Sequence, residues 1–362
     1  MNIACISDCH IGYRHRFKTQ RLWDYVSSFH DALEKSLERK PDIIVFGGDI
    51  LHHSRPDPVS LRAVVRKLIE VADKTPVVVS IGNHEIEGHL GTAYAPIYSD
   101  LHENIHVLTS ENPHATVRLK DGKADFYGFE YVRNRERVED MLLKMSEGVN
   151  TRGANILLLH QAVEHYLEPH ELSISALREV AGKYDLILLG HVHKHQRVVE
   201  VSDITPCYYI GSTERISFNE ASNPTGILFF KNDFSNPEHV RVKSASMRHV
   251  RERMGEAAPG DVNRRVEDLL ESNRKVKLLR VDVDVEFQGD LTEVRRDWSA
   301  YEGEHTILEV SVNQPQVSDQ IALERITFDE DMIREYFEKS GIRDKELEEL
   351  CVRLYGKYSV GS

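Results

Sequence analysis

The stretch Asn2-Ile3-Ala4-Cys5-Ile6-Ser7-Asp8-Cys9-His10 decides the fold. A short, mostly apolar run without polar alternation passes directly into a carboxylate and an imidazole two positions apart. Such a run reads as a first β-strand. Four further stretches repeat the arrangement. The run 42–46 ends at Gly47-Gly48-Asp49, 77–81 leads into Gly82-Asn83-His84-Glu85, 156–159 ends at His160, and 186–189 at Gly190-His191-Val192-His193. Between them lie segments such as 20–39 and 58–73, whose apolar residues recur at helical spacing. This alternation predicts an α/β core with a largely parallel sheet over residues 1 to about 232. Strand-like runs at 197–201, 207–210, 227–230 and 240–242 follow.

Downstream, 250–316 reads as a small α+β unit, with helices at 260–273 and 291–301 and strands at 276–287 and 306–312. The segment 328–359 reads as two short helices broken at Ser340-Gly341. They carry Met332, Ile333, Tyr336 and Phe337, then Leu347, Leu350, Cys351, Leu354 and Tyr355. So much apolar surface on so short a segment should dock on something, a partner or the chain's own small unit.

Of the 362 residues, 40% are hydrophobic and 29% charged, as in ordinary globular chains of two or three domains. No apolar run approaches the roughly 18 residues a membrane span needs. The first residues lack a basic start and a long apolar stretch, so no signal peptide is expected. Cys5, Cys9, Cys207 and Cys351 have no CxxC spacing, which predicts a reduced, cytoplasmic protein. A net charge of -13 argues against a broad DNA-binding face, leaving room for a local one.

The chemistry lies at the five strand ends. One DxH or HxH pair alone is more often packing or surface than a site. Five in register, each offering a carboxylate, an amide oxygen or an imidazole, occupy the place where α/β sheets bind ligands. Oxygen and imidazole donors without thiolates suit manganese, iron or zinc. The loop after His10 adds Tyr13, Arg14, His15, Arg16, Phe17 and Lys18, and Arg55, His89, Lys194 and Arg215 lie in loops near the other motifs. Cations of this kind neutralise phosphates and aromatics stack on bases, which makes these residues candidates for DNA contact.

The order D-x-H, G-D, G-N-H-E, H, G-H-x-H over roughly 1–215 resembles the calcineurin-like metallophosphoesterase superfamily. That resemblance implies a β-sandwich flanked by helices. It implies one metal on Asp8, His10, Asp49 and His193 and a second on Asp49, Asn83, His160 and His191, with His84 facing the substrate. The stretch Gly48-Asp49-Ile50-Leu51-His52-His53-Ser54-Arg55-Pro56 is similar to the meiotic recombination eleven/SbcD family of DNA double-strand-break repair nucleases, as is Gly211-Ser212-Thr213-Glu214-Arg215 with its continuation to Glu220. The G-D-x-V-D-R-G run of serine/threonine protein phosphatases is missing.

From this second resemblance follow two Mn2+ per subunit, 3′-to-5′ exonuclease action on duplex ends and endonuclease action on single strands. His52 would position the scissile phosphate and His84 assist departure of the 3′ oxygen. The layout implied is a nuclease domain (1–247), a capping domain (250–316) and a C-terminal helical hairpin (328–359). The hairpin would bind an SMC-like coiled-coil ATPase (radiation-sensitivity fifty or SbcC-like) through Ile333, Tyr336, Phe337, Leu347, Leu350 and Leu354. Leu61, Val65, Leu68, Ile97 and Leu101 would pair two subunits, giving a heterotetramer on DNA ends at the nucleoid. The alternatives are another calcineurin-like hydrolase, acting on small phosphodiesters or phosphoproteins, and a scaffold without catalysis. The retained histidines and ligands speak against the last, since desolvated carboxylates are costly to keep.

Overall fold

In the computed structural model the described residues are 1–86, 93–120, 122–149, 153–286, 294, 295, 297–313, 345, 347 and 349–351. The strands are β1 (Asn2–Ile6), β2 (Ile43–Phe46), β3 (Val77–Ser80), β4 (Ile105–Leu108), β5 (His114–Leu119), β6 (Gly122–Tyr127), β7 (Ala154–His160) and β8 (Leu186–Gly190). After them come β9 (Gln196–Arg197), β10 (Cys207–Tyr209), β11 (Gly226–Lys231), β12 (Glu238–Arg241), β13 (Met247–Glu256), β14 (Leu278–Glu286) and β15 (Ile307–Asn313). The helices are α1 (Thr19–Glu38), α2 (Pro58–Ala72), α3 (Tyr98–Leu101), α4 (Arg135–Glu147), α5 (Ile174–Ala181) and α6 (Pro259–Ser272).

Two six-stranded sheets stack face to face. Their orders are β12-β11-β1-β2-β3-β4 and β5-β6-β7-β8-β10-β9. In each, four consecutive strands run parallel and the outer ones turn antiparallel. The largely parallel sheet expected from the pattern is thus split in two. Alternate residues of a strand face opposite sides. Ile3, Cys5, Ile43 and Val45 meet Phe126, Ile156, Leu158 and Leu188 between the sheets. Ala4, Ile6, Ile44 and Phe46 pack outward on Phe29, Leu33, Val64 and Leu68 of α1 and α2. Leu157, Leu159, Ile187 and Leu189 do the same against Val138, Leu142, Leu177 and Val180 of α4 and α5. Both faces of the central strands are therefore buried, which is why their sequence runs apolar without alternation. Local capping fixes the starts of α2 and α4: Asp57 accepts from the backbone N–H groups of Val59 and Ser60, and Asn134 from that of Arg137.

A third sheet, β13-β14-β15, is parallel throughout and covered by α6. Its core is Val262, Val266, Leu270, Val281, Val283, Val285 and Trp298. Residues 1–313 form one compact unit and 314–362 another. The small unit expected from 250 begins at Met247, because β13 is in register with β14 from that residue on. The predicted helix at 291–301 is not helical at its described residues 294, 295, 297 and 298, and a 3-10 turn spans Ser299–Glu304. There the Arg295 amide donates to the Asn263 side chain instead of a helical carbonyl, and its guanidinium lies over the Trp298 ring. The strand expected at 197–201 stops at Arg197, where Ser202 closes a turn on the Val198 and Cys207 carbonyls.

Leu347 and Leu350 are helical and exposed. Ile333, Tyr336, Phe337 and Leu354, like His89, lie outside the described residues. No helix among the described residues is long and apolar enough to cross a membrane.

Candidate metal centre

The carboxyl ends of the parallel strands of both sheets meet at one edge of the sandwich. β1 delivers Asp8 and His10, β2 Asp49, β3 Asn83, β7 His160, and β8 His191 and His193. Four of these residues hold left-handed backbone: φ is 50° at Asp8, 45° at His10, 52° at Asp49 and 83° at His191. Each costs on the order of 1–3 kcal/mol and persists because the surroundings impose it. Glycines make room: a side chain on Gly48, at φ 99°, would sit 2.4 Å from His160 Nδ1, and one on Gly82 would sit 2.1 Å from Asp49 Oδ1.

The sequence-selected donors converge. Asp8 Oδ1 lies 4.0 Å from His10 Nε2 and 3.8 Å from His193 Nε2, and those two nitrogens are 3.0 Å apart. Asp49 Oδ2 lies 3.3 Å from His160 Nε2 and 3.9 Å from His10 Nε2, so it faces both halves of the cluster. Asn83 Oδ1 is 3.1 Å from His160 Nε2, and the His191 ring centroid is 5.1 Å from that of His160. His160 Nδ1 faces the Gly47 carbonyl at 2.7 Å, an acceptor alone, so its proton sits there and Nε2 turns inward. Asp8 accepts from Ser7 Oγ and the His191 amide, and Asp49 from the His84 amide.

Burial sets the electrostatics. It pushes His191 down to about 3, helped by neighbouring His160, and holds His10 well below its ordinary value. Burial also opposes a charge on His160, yet the Asp49 carboxylate outweighs it and raises that imidazole to about 9. Desolvation raises Asp8, whereas His160 holds Asp49 below the usual carboxylate range in spite of burial. Imidazole nitrogens and two buried carboxylates converge on one place, where a cation would be held. The donor set, oxygen and imidazole without thiolate, fits hard or borderline divalent ions. Asp8 with His10 and His193, and Asp8 with Asp49 and His160, each converge closely enough to share one ion.

Beside the centre, the rings of His52 and His84 stack at 4.4 Å, with Tyr13 4.7 Å beyond His52. Burial lowers His52 to about 3. The candidate DNA residues divide. Lys18, Arg55 and Lys194 are exposed. Arg14 is paired with Asp57 at 3.1 Å and Arg16 with Glu309 at 2.9 Å. Arg215 departs from the expectation of a DNA contact, because its guanidinium is spent on the Asn223 and Ala245 carbonyls and Ser244 Oγ. Of the candidate dimer residues, Leu68 also departs, being fully buried in the subunit's own core. Leu61 and Leu101 are half-buried against that core, Val65 is half-buried, and Ile97 is 40% exposed.

Two residues near the site went unassigned in the sequence. Glu85 is buried and accepts from the Gly82 and Leu51 amides and Tyr98 Oη, tying the loop after β3 to the loop after β2. Burial and then Asp49 raise it to about 7. Glu220 lies 3.1 Å from His193 Nδ1. Glu85 and Glu220 each close a quoted stretch, a signal that could have singled them out.

A fold of two stacked sheets with such a cluster at their strand ends defines a dimetal phosphoesterase. The chain belongs to the calcineurin-like phosphoesterase family, whose model matches residues 1–195. Among curated proteins it is similar to the DNA double-strand break repair protein Mre11 of Methanocaldococcus jannaschii, 31% identical over 243 residues, 65% of this chain and 63% of that one. It is also similar to the protein of the same description from Thermoplasma acidophilum, 24% identical over 364 residues, 96% of this chain and 92% of that one. The chain thus spans less than two thirds of the first relative's length and nearly all of the second's. Among solved structures, a dimetal phosphatase from Danio rerio matches with a TM-score of 0.41 at 11% identity, over 63% of this chain and 91% of that one.

Proposed function

We propose that this protein is a manganese-dependent DNA nuclease of double-strand-break repair. It degrades duplex ends 3′ to 5′ and cuts single strands. It works as a homodimer joined through its C-terminal helices to an SMC-like coiled-coil ATPase, in the cytoplasm at the nucleoid. The observation that carries the reading is the stacked His52–His84 pair on the open side of the donor cluster, with the cationic loop 12–18 next to it. Similarity to the Thermoplasma acidophilum Mre11 protein over almost the whole chain supports the substrate.

Asp8, His10, Asp49 and His193 would hold one Mn2+, and Asp49, Asn83, His160 and His191 the other. Such a pair supplies a water nucleophile near neutral pH and neutralises charge on the phosphoryl oxygens. The protein's own part is placement and proton handling. His84, whose backbone N–H donates to Asp49 Oδ1, gives the departing 3′ oxygen a proton or stabilises charge at phosphorus. His52 seats the scissile phosphate against it. The sheet β13-β15 with α6 serves as the cap, and Tyr13, Lys18, Arg55 and Lys194 line the DNA approach.

The test is digestion of labelled blunt, nicked and hairpin DNA by the full chain with manganese, with magnesium and with EDTA, beside His84→Gln. Degradation is expected with manganese alone, reduced on the order of 10²–10⁴-fold in the variant, the usual worth of a positioned acid. DNA left intact while a bis-aryl phosphodiester is hydrolysed would overturn the substrate and keep the metal centre.

A further inference from the structure

The 3-10 turn Phe218–Glu220 touches two places at once. At one end, Glu220 Oε1 lies 3.1 Å from His193 Nδ1, which directs Nε2 of that ring towards Asp8 and His10. The other oxygen, Oε2, accepts from the Ile216 amide at 2.9 Å, and Ser217 Oγ donates to Oε1 at 3.4 Å, so the carboxylate is itself held in place. At the other end, Phe218 is buried in a cluster with Ala245, Leu278 and Ile307, against Met247. Leu278, Ile307 and Met247 are the first residues of the three strands of the small sheet. The Phe218 ring also sits 5.9 Å from that of His15 and 6.4 Å from that of His249.

We infer that Glu220 is a positioning residue for His193, and that Phe218 makes its placement depend on how the small sheet is seated. A carboxylate on the outer nitrogen of a metal-ligating imidazole fixes its tautomer and orientation, and loss of such a partner typically lowers metal affinity about 10- to 100-fold. With one residue between them, a shift of Phe218 in its socket carries Glu220 along. The small sheet thereby reaches a metal ligand through Phe218 and Glu220. This rests on the metal-centre reading and not on the choice of DNA as substrate.

The experiment is Mn2+ binding by the full-length chain, freed of metal with EDTA, followed by calorimetry and by electron paramagnetic resonance. It compares wild type, Glu220→Gln, Glu220→Ala, Phe218→Leu and Phe218→Ala, with the metal-free fold checked by circular dichroism. Two ions are expected on the wild type. Affinity for one of them should fall about 10- to 100-fold in Glu220→Ala and less in Glu220→Gln, whose amide oxygen still accepts from Nδ1. Phe218→Ala should weaken the same ion, and Phe218→Leu should restore most of it. Unchanged affinity in both Glu220 variants overturns the positioning role, and unchanged affinity in Phe218→Ala overturns the link to the sheet. A wild type that binds no Mn2+ would instead sink the metal-centre reading beneath it. Should Glu220→Ala fail to fold, Glu220→Gln decides alone.

Discussion

At His160 two demands collide, for the Asp49 carboxylate favours a charged imidazole and ligation needs a neutral one. Asp49 raises it to about 9 against the cost of burial, so below that pH a divalent cation has to displace its proton. The sign follows directly: apparent Mn2+ affinity should climb with pH up to about 9 and then level off. Calorimetry at pH 7.5 in buffers of different ionisation enthalpy should report proton release on binding, and its absence would contradict this account. Residue identities here were open to reading, since each donor ends an apolar run. The left-handed backbone at Asp8, His10, Asp49 and His191 was not, because non-glycine residues adopt it only when tertiary surroundings force it. Nor was the Arg215 assignment, since an arginine in a loop looks the same in sequence whether it meets a phosphate or three groups of its own chain.

The central strands announced themselves because burial on both faces leaves no polar positions in them. Edge strand β5 and its neighbour β6 carry Thr116, Arg118 and Lys123 at positions facing water, and their signal is lost in polar sequence. The split into two sheets is unwritten locally, since a strand facing helices and one facing a second sheet need the same side chains. The α2 surface shows how an element's periodicity overstates its exposed face. Leu61, Val65 and Leu68 follow helical spacing, but Leu68 points into the core. Leu68→Ala should therefore destabilise the subunit by about 2–5 kcal/mol in denaturant titrations while leaving the oligomer intact. Ile97, with Val59 and Tyr94 also exposed, offers the free apolar surface. Ile97→Asp should leave the melting temperature nearly unchanged and shift sedimentation towards the monomer. A variant that sediments like the wild type would remove this face from the proposed dimer.

For the molecule as a whole, a net charge of -13 opposes a polyanion, so DNA must be met by a few cations released at the right place. Glu309 on β15 holds Arg16 at 2.9 Å and His15 at 3.2 Å through one oxygen, and faces Arg280 at 3.5 Å through the other. A phosphate approaching the loop after β1 competes with this carboxylate for Arg16. Glu309→Gln should therefore strengthen duplex binding about two- to fivefold, the size of a screened surface pair. It should also steepen the fall of log affinity with log salt by about 0.9 for each further phosphate neutralised. Hydrolysis of a bis-aryl phosphodiester, too small to reach the small sheet, should stay at the wild-type rate. Arg16→Gln in the Glu309→Gln background should erase the improvement, because the charge that the carboxylate restrains is then missing. Equal affinity and equal salt slope for wild type and Glu309→Gln would mean that DNA passes the metal centre without meeting this loop.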